Sequence, residues 1–390
     1  MGDALKAQIR RLDSAEASRR AAALVPMLRE RAAQGEALRR LPDLSAADLV
    51  ASKLLSLCQP ARFGGCEQGW DVLCETLIEL AHGDGSQAWV ASVYAAMAFQ
   101  TALFGDKAQH DVWDRDPDAL IAGSLVPIGN RIEKVGGGYR LSGRWPFNSG
   151  AHHARWLILG DLADAGGGKP EHVYFLVPAD DYAIEDDWFA VGLAGTGSAT
   201  VILKDAFVPV HRTLLNRAMN EGKAPGASVN PYPLYRMPLF GFAQLVLAAV
   251  PVGVAAGMVD DFTALIRAKS GGSGPPAGID LPLARLAEAA AETHAAALLL
   301  RDASRRVMKK LTDGDKLDEG DAGAAMRDSG YALRLAKQAA ARIFEATGAH
   351  GLYLGNAIQR GYRDVHAAGN HGSLNWERSA LRYAQTAIRI

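Results

Sequence analysis

From residue 3 to 40 the chain is a run of Ala, Arg, Glu and Leu, with apolar positions at Leu5, Ile9, Leu12 and Ala15. That three-to-four spacing predicts a long helix, which Pro26 is expected to kink or split. Leu41-Pro42-Asp43 interrupts it, Ser45 has the chemistry of the next N-cap, and Leu49 to Leu57 reads as a short helix. QPARFGG (59–65) is a Gly/Pro loop. Trp70 to His82 is again helical, with apolar residues at 70, 73, 77 and 80. After a turn and cap at Gly83 to Ser86, Gln87 to Phe104 is apolar on every side, which places it at the centre of a bundle. Lys107 to Trp113 closes this helical region.

At Asp116 the period changes. Short apolar runs separated by Gly, Pro and Asp predict strands at Leu120–Leu125, Asn130–Val135, Gly138–Trp145, Trp156–Leu162, Val173–Pro178, Tyr182–Trp188 and Thr200–Val208. Such short strands at close spacing indicate a small β-barrel or sandwich. Helical periodicity returns over Leu239 to Lys269, Leu281 to Thr312 and Asp321 to Gly348, with a Gly/Pro loop at Ser270 to Gly278. Gly351 to Ile390 adds a helix, an irregular turn around Ala368 to Asn375, and a last amphipathic helix. The expected fold class is α+β: a helical domain (1–118), a β-domain (119–228) and a helical bundle (229–390).

Composition changes this picture little. Of 390 residues, 49% are apolar and 22% charged, with a net charge of -1, so no nucleic-acid or anionic-membrane partner is expected. Cys58, Cys66 and Cys74 fit neither a disulfide framework nor a zinc motif, and no metal site is expected. The charged N-terminus lacks the apolar core of a signal peptide, and Phe240 to Met258 is interrupted by Gln244 and Pro251. A cytoplasmic protein is the expectation.

Candidate chemistry gathers around Tyr139 to Asp161. Two β-rich runs flank a polar hinge in which Asn148, Ser149 and Gly150 follow Trp145 and Phe147. Gly and Asn permit tight backbone geometry, so the hinge can offer donors and hydroxyls to a flat ligand. The dinucleotide G-x-G-x-x-G after a strand and the P-loop pattern are both absent.

The helix–barrel–helix order resembles the acyl-CoA dehydrogenase fold, with a C-terminal four-helix bundle. The resemblance lies in PARFGG (60–65) with ELAHGDGSQAWV (79–90), GRWPFNSG (143–150), VGLAGTGSATVILKDAFVP (191–209) and GYRDVHAAGNHGSLNWE (361–377). W-x-F-x-S-G, together with RDV followed by His, is closer to one branch. That branch is the oxygenase component of two-component flavin-dependent monooxygenases, which includes the hydroxyphenylacetate, steroid-phenol and dibenzothiophene types. Acyl-CoA dehydrogenases of this fold remove a proton with a Glu after the YRD motif. Here the place falls near Gly372, beside His371, and no carboxylate lies between Asp364 and Glu377.

The resemblance implies use of reduced flavin (FMNH2 or FADH2) and O2, by way of a C4a-hydroperoxyflavin, to hydroxylate a small aromatic molecule. It also implies a separate NAD(P)H:flavin reductase and a homotetramer. Ser149 or Asn148 is assigned to the flavin N5 edge, with Trp145 and Phe147 as an aromatic wall. Thr196 and Ser198 form a second flavin-side pair, where Gly195 and Gly197 would let backbone approach. Arg267 fits a phosphate clamp, and Thr347 with Gly348 a loop reaching a neighbouring subunit's cofactor. His371, beside Asn370, is the catalytic candidate, a group that deprotonates or holds a phenol oxygen. His366 reads as a packing residue, and at most one of His152 and His153 faces the cavity. Several aromatic hydroxylases carry H-x-W where this chain reads Met97-Ala98-Phe99; with Tyr94 this makes an apolar pocket suited to a bulkier ring. The competing readings are an acyl-CoA dehydrogenase or oxidase with a displaced base, an N- or S-oxidising member of the same branch, and a scaffold that binds no flavin.

Overall fold

The computed structural model describes residues 12–270 and 280–388. The predicted helical positions Leu5 and Ile9, and residues 271–278 of the predicted Gly/Pro loop, lie outside the described residues. Asp13 accepts a hydrogen bond from the Glu16 amide and starts α1 (Ser14–Leu38). Its buried residues, Ala17, Ala21, Leu24, Leu28, Ala32 and Gly35, keep the three-to-four spacing. Pro26 does not split the helix. Pro26 and Ala22 both face outward, so the Ala22 carbonyl that proline deprives of a donor is open to water. The second helix, α2 (Asp43–Ala51), starts behind Pro42, whose φ of -60° already suits a helix. Ser45 is therefore not the cap; it is buried inside α2 with its hydroxyl unpartnered. The helix expected at Leu49 to Leu57 is also broken, because Lys53 takes a φ of 63° and a single 3-10 turn follows at Leu54–Ser56.

Next come α3 (Trp70–Ala81), α4 (Gly85–Thr101) and α5 (Asp106–Trp113). Asp84 caps α4 by accepting from the Gln87 amide, and every residue of α4 except Val93 is buried. The strands are β1 (Ile121–Ser124), β2 (Arg131–Val135), β3 (Gly138–Asn148), β4 (Trp156–Asp164), β5 (Pro170–Pro178), β6 (Ala183–Ile184), β7 (Ala199–Pro209) and β8 (Thr213–Leu215). They form two four-stranded sheets, ordered β1-β4-β5-β8 and β2-β3-β7-β6. The strand expected over Tyr182 to Trp188 shrinks to Ala183–Ile184, because Asp187 turns to accept the Thr200 amide. The short β8, paired with β5, carries too few residues to show a period.

A short α6 (Asn216–Asn220) leads to α7 (Ala243–Ser270), α8 (Asp280–Asp313) and α9 (Glu319–Thr347), followed by α10 (Ala357–Ala368) and α11 (Trp376–Ile388). The central helix of this bundle is α9, which packs against α7, α8, α10 and α11. Among the described residues only α7 is long and apolar enough to cross a membrane, and most of it is buried inside the protein. Its Gly253 allows contact with α3, since a Cβ there would meet the Ile78 carbonyl at 2.1 Å.

Candidate active site

The hinge is an irregular end of β3. Between Trp145 and Asn148 the register with β7 shifts, and Phe147 takes a φ of 63°. Residues two apart on a regular strand share a face, but this bulge separates Trp145 from Phe147. Trp145 is fully buried, and its indole N–H donates to the Gly160 carbonyl of β4 at 3.1 Å. The wall it was expected to form is therefore a pillar between the two sheets. Phe147 is exposed, edge-on to Trp188 at 6.3 Å. A bulky residue with positive φ is strained, and such strain concentrates at functional sites.

Asn148 closes the bulge. Its Nδ2 donates to the Trp145 carbonyl at 2.5 Å, while Oδ1 is buried without a partner. Ser149 takes another direction, and its Oγ lies 2.6 Å from Ser198 Oγ, which is 2.6 Å from Thr196 Oγ1. Thr196 Oγ1 in turn donates to the Leu193 carbonyl at 2.8 Å. Hydroxyls have one proton each, so the chain has one direction. Thr196 uses its proton on Leu193, Ser198 must then donate to Thr196, and Ser149 to Ser198. Ser149 is left with lone pairs only. Thus Ser149 of the hinge meets the predicted Thr196–Ser198 pair while Asn148 does not, and the sequence could not have shown the proton order. The glycines of GTGS serve this packing: a Cβ on Gly195 would meet Gly35 of α1 at 3.0 Å, and one on Gly197 would meet His152 at 2.9 Å. The expected open approach to a ligand at these two positions is closed by protein.

One hydrogen bond ties α4 to the hinge, and a second ties the hinge to the 191–198 loop. Tyr94 Oη donates to the Gly150 carbonyl at 2.7 Å, and the Gly150 amide donates to the Thr196 carbonyl at 2.9 Å. Tyr94 thus positions the hinge, and burial pushes its phenol far above the usual range. Gly150 has a φ of 78°, and a Cβ there would lie 2.7 Å from Tyr94 Oη. Gly150→Ala is expected to cost about 2 kcal/mol or more and to lower the melting temperature by several degrees in calorimetry.

Five residues earlier on α4, Trp89 packs against His371 with ring centroids 5.7 Å apart. The two contacts are about 7.5 Å apart along the helix axis. Trp89 was not singled out in the sequence, because a helix apolar on every side does not reveal which face meets the site. His371 and Asn370 cap α10, donating their amides to Ala368 and Ala367. The His371 Nδ1 accepts from the Ser373 amide at 3.3 Å. The neutral ring therefore holds its proton on Nε2, as a donor. His371 is exposed as a residue, yet protein surrounds its ring densely enough that desolvation lowers its pKa and favours the neutral form.

The remaining candidates lie apart. Phe99 meets Trp70 edge-on at 5.0 Å and stacks on Tyr235 at 6.5 Å, so it belongs to the core on another face of α4 and not to a pocket. Met97 is buried. Arg267 is exposed near the end of α7. Thr347 donates back to Ile343 within α9, and Gly348 is exposed with a φ of 67°. His153 pairs with Asp43 at 2.9 Å, His152 is exposed, and His366 packs on Tyr362 at 4.4 Å.

No acid is poised at the site among the described residues. Glu377 is exposed at the start of α11. Asp364 is buried, accepting from the Leu193 amide at 2.6 Å, and a Cβ on Gly85 would lie 2.7 Å from its Oδ2. Burial, with the neighbouring Asp84 carboxylate, pushes Asp364 up to about 8. Asp84 is raised by burial as well. The pair welds α4, α10 and the 191–198 loop together.

Helical regions on either side of a small β-unit, with this hinge facing α4, define an acyl-CoA dehydrogenase-like protein with no carboxylate between Asp364 and Glu377. The family described as acyl-CoA dehydrogenase, C-terminal domain, matches residues 245–376. The FADH(2)-dependent resorcinol hydroxylase, oxygenase component, of Rhizobium sp. is 35% identical over 95% of this chain and 93% of its own. The crystal structure of 3-HSA hydroxylase from Rhodococcus sp. RHA1 superposes with a TM-score of 0.91 at 34% identity, over 95% of this chain and 96% of that one. XiaF from Streptomyces sp., solved with FADH2 and glycerol, gives a TM-score of 0.86 at 26% identity over 99% and 98% of the two chains. The chain belongs to the oxygenase components of the flavin-dependent monooxygenases.

Proposed function

We propose that this protein is the oxygenase of a two-component monooxygenase, served by a separate reductase, that hydroxylates an aromatic or heteroaromatic small molecule. In balance, arene, O2 and reduced flavin become hydroxyarene, water and oxidised flavin. The observation that carries this reading is the hydroxyl chain from Ser149 to Leu193, because it leaves Ser149 Oγ an acceptor. Reduced flavin has an N5–H to donate, whereas oxidised flavin presents only a lone pair there. The site therefore fits the reduced form. When bound, that group supplies the two electrons that activate oxygen.

Ser149 holds the N5 edge, and Ser198 and Thr196 hold Ser149. Phe147 offers an aromatic face. His371 donates its Nε2–H to the substrate oxygen, which stabilises the phenolate and raises the electron density of the ring. Trp89 keeps the imidazole against α4. Arg267 clamps a flavin phosphate, and the loop at Thr347 and Gly348 serves the flavin of a neighbouring subunit in a cytoplasmic homotetramer; the exposed Leu352, Tyr353 and Leu354 beside that loop supply apolar contact surface.

The test is anaerobic titration followed by mixing with oxygen. Tighter binding of reduced than oxidised FAD, with hydroxylated product formed only when reduced flavin is supplied, supports the reading. Tightly held oxidised flavin that an acyl-CoA bleaches would sink it. Ser149→Ala is expected to weaken reduced-flavin binding about tenfold and to leave oxidised-flavin binding unchanged, by fluorescence titration.

A further inference from the structure

Two buried glutamines carry amide atoms that have no partner among the described residues. Gln100, in the last turn of α4, is fully buried, and both its Oε1 and its Nε2 lack a hydrogen bond. Gln244, in the first turn of α7, is 5% exposed, and its Oε1 is likewise buried and unpartnered. A buried amide left unsatisfied is costly, and each such group calls for an explanation.

Their positions supply one. On α4, Trp89, Val93, Ala96 and Gln100 are spaced by four, three and four residues, so they share one face. His371 packs at the Trp89 end of that face. Helix α7 runs beside α4 in the opposite direction. A Cβ on Gly85 would lie 3.1 Å from Val254, while Trp70 joins the other ends by packing on Phe99 at 5.0 Å and donating to the Phe242 carbonyl at 3.0 Å. This arrangement puts the first turn of α7, with Gln244, at the same end of the helix pair as the last turn of α4, with Gln100. Between that end and His371 the shared face is apolar, with Val93 and Ala96. The span from Trp89 to Gln100 is about 16 Å along the axis. A ligand that reaches both the His371 and the Gln100 side chains across that span needs the length of two or three fused rings.

We propose that Gln100, assisted by Gln244, forms a polar subsite remote from His371 that binds a second oxygen or nitrogen function on an extended, multi-ring aromatic substrate. This rests on the hydroxylase reading above and names its substrate class. An amide carries both donors and an acceptor, so it reads a hydroxyl, a carbonyl or a ring N–H with equal ease. A site built this way rejects the analogue that lacks the group, because its own polar atoms are then left unpaired.

The test compares a mononaphthol with the naphthalenediol whose hydroxyls lie at opposite ends, titrated by tryptophan fluorescence and then assayed for hydroxylation with reduced FAD. Wild-type enzyme is expected to bind the diol about tenfold more tightly. Gln100→Leu should erase that preference and melt no lower than wild type, since an unpartnered amide gives way to an apolar side chain of similar size. Gln100→Met serves the same purpose if the leucine variant does not fold. Equal binding of the two arenes by wild type, no binding of either, a retained preference in the variant, or lower melting of both variants overturns the subsite. Selective binding without hydroxylation leaves the subsite standing and counts against the hydroxylase reading; hydroxylation without selectivity does the reverse.

Discussion

His371→Ala is expected to lower hydroxylated product about a hundredfold while oxygen consumption driven by reduced flavin continues and ends as hydrogen peroxide. The reason is positional. The ring meets Trp89 on one side and the Ser373 amide at Nδ1, so only Nε2 is left for substrate, and that atom carries the proton. Nothing in the hydroxyl chain around Ser149 depends on it. Oxygen uptake and hydroxylation should therefore separate in this variant, read by an oxygen electrode beside product chromatography. His371→Gln distinguishes the chemical roles. A glutamine N–H can still donate to the substrate oxygen and should restore part of the product, whereas it cannot act as a base. No recovery in the glutamine variant, with full loss in the alanine one, would return the residue to proton abstraction. Unchanged hydroxylation in both would remove it from the chemistry.

Asp364→Asn is expected to change how stability depends on pH. The folded state holds Asp364 protonated up to about 8, against an ordinary value of 3.8, because burial and Asp84 disfavour a second charge. Arg360, Arg363 and Glu36 face the pair and partly offset one another. With the folded value raised, the folded protein binds a proton that the unfolded chain has released. This contribution is complete below the unfolded value and is lost as pH rises through the window up to about 8. Asparagine keeps the acceptor for the Leu193 amide and never ionises. The variant should therefore gain on wild type as pH rises from about 5 to about 8, by an amount on the order of a few kcal/mol. Melting curves taken on both proteins across that range check it, and subtracting them removes the histidines, which titrate in both. A constant difference across the range would mean that the carboxylates do not share a proton.

Much of the architecture could be read in advance, and the failures have definite causes. Helix α4 and the long bundle helices announced themselves by period and length. Pro26 misled because its orphaned carbonyl faces water, and Ser45 because Pro42 had already begun the helix. Trp145 and Phe147 looked like one wall, since strand periodicity puts alternate residues together. A bulge with positive φ parts them, and no local pattern signals a bulge here. Phe99 looked like pocket lining because Met97-Ala98-Phe99 stands where related hydroxylases carry H-x-W, and a helix apolar all round gives no sign that Trp70 and Tyr235 bury it.

The order of helices and strands, the absence of a carboxylate after Tyr362-Arg363-Asp364, and the presence of His371 and Ser149 were set by the amino-acid sequence alone, because they are matters of period and of residue type. Direction was decided by tertiary structure: which way the protons run from Ser149 to Leu193, which nitrogen His371 turns outward, which carboxylates share a charge, and which glutamines go unsatisfied. Each depends on groups far apart in the chain meeting within hydrogen-bond distance, and that is a property of packing which one-dimensional periodicity does not encode.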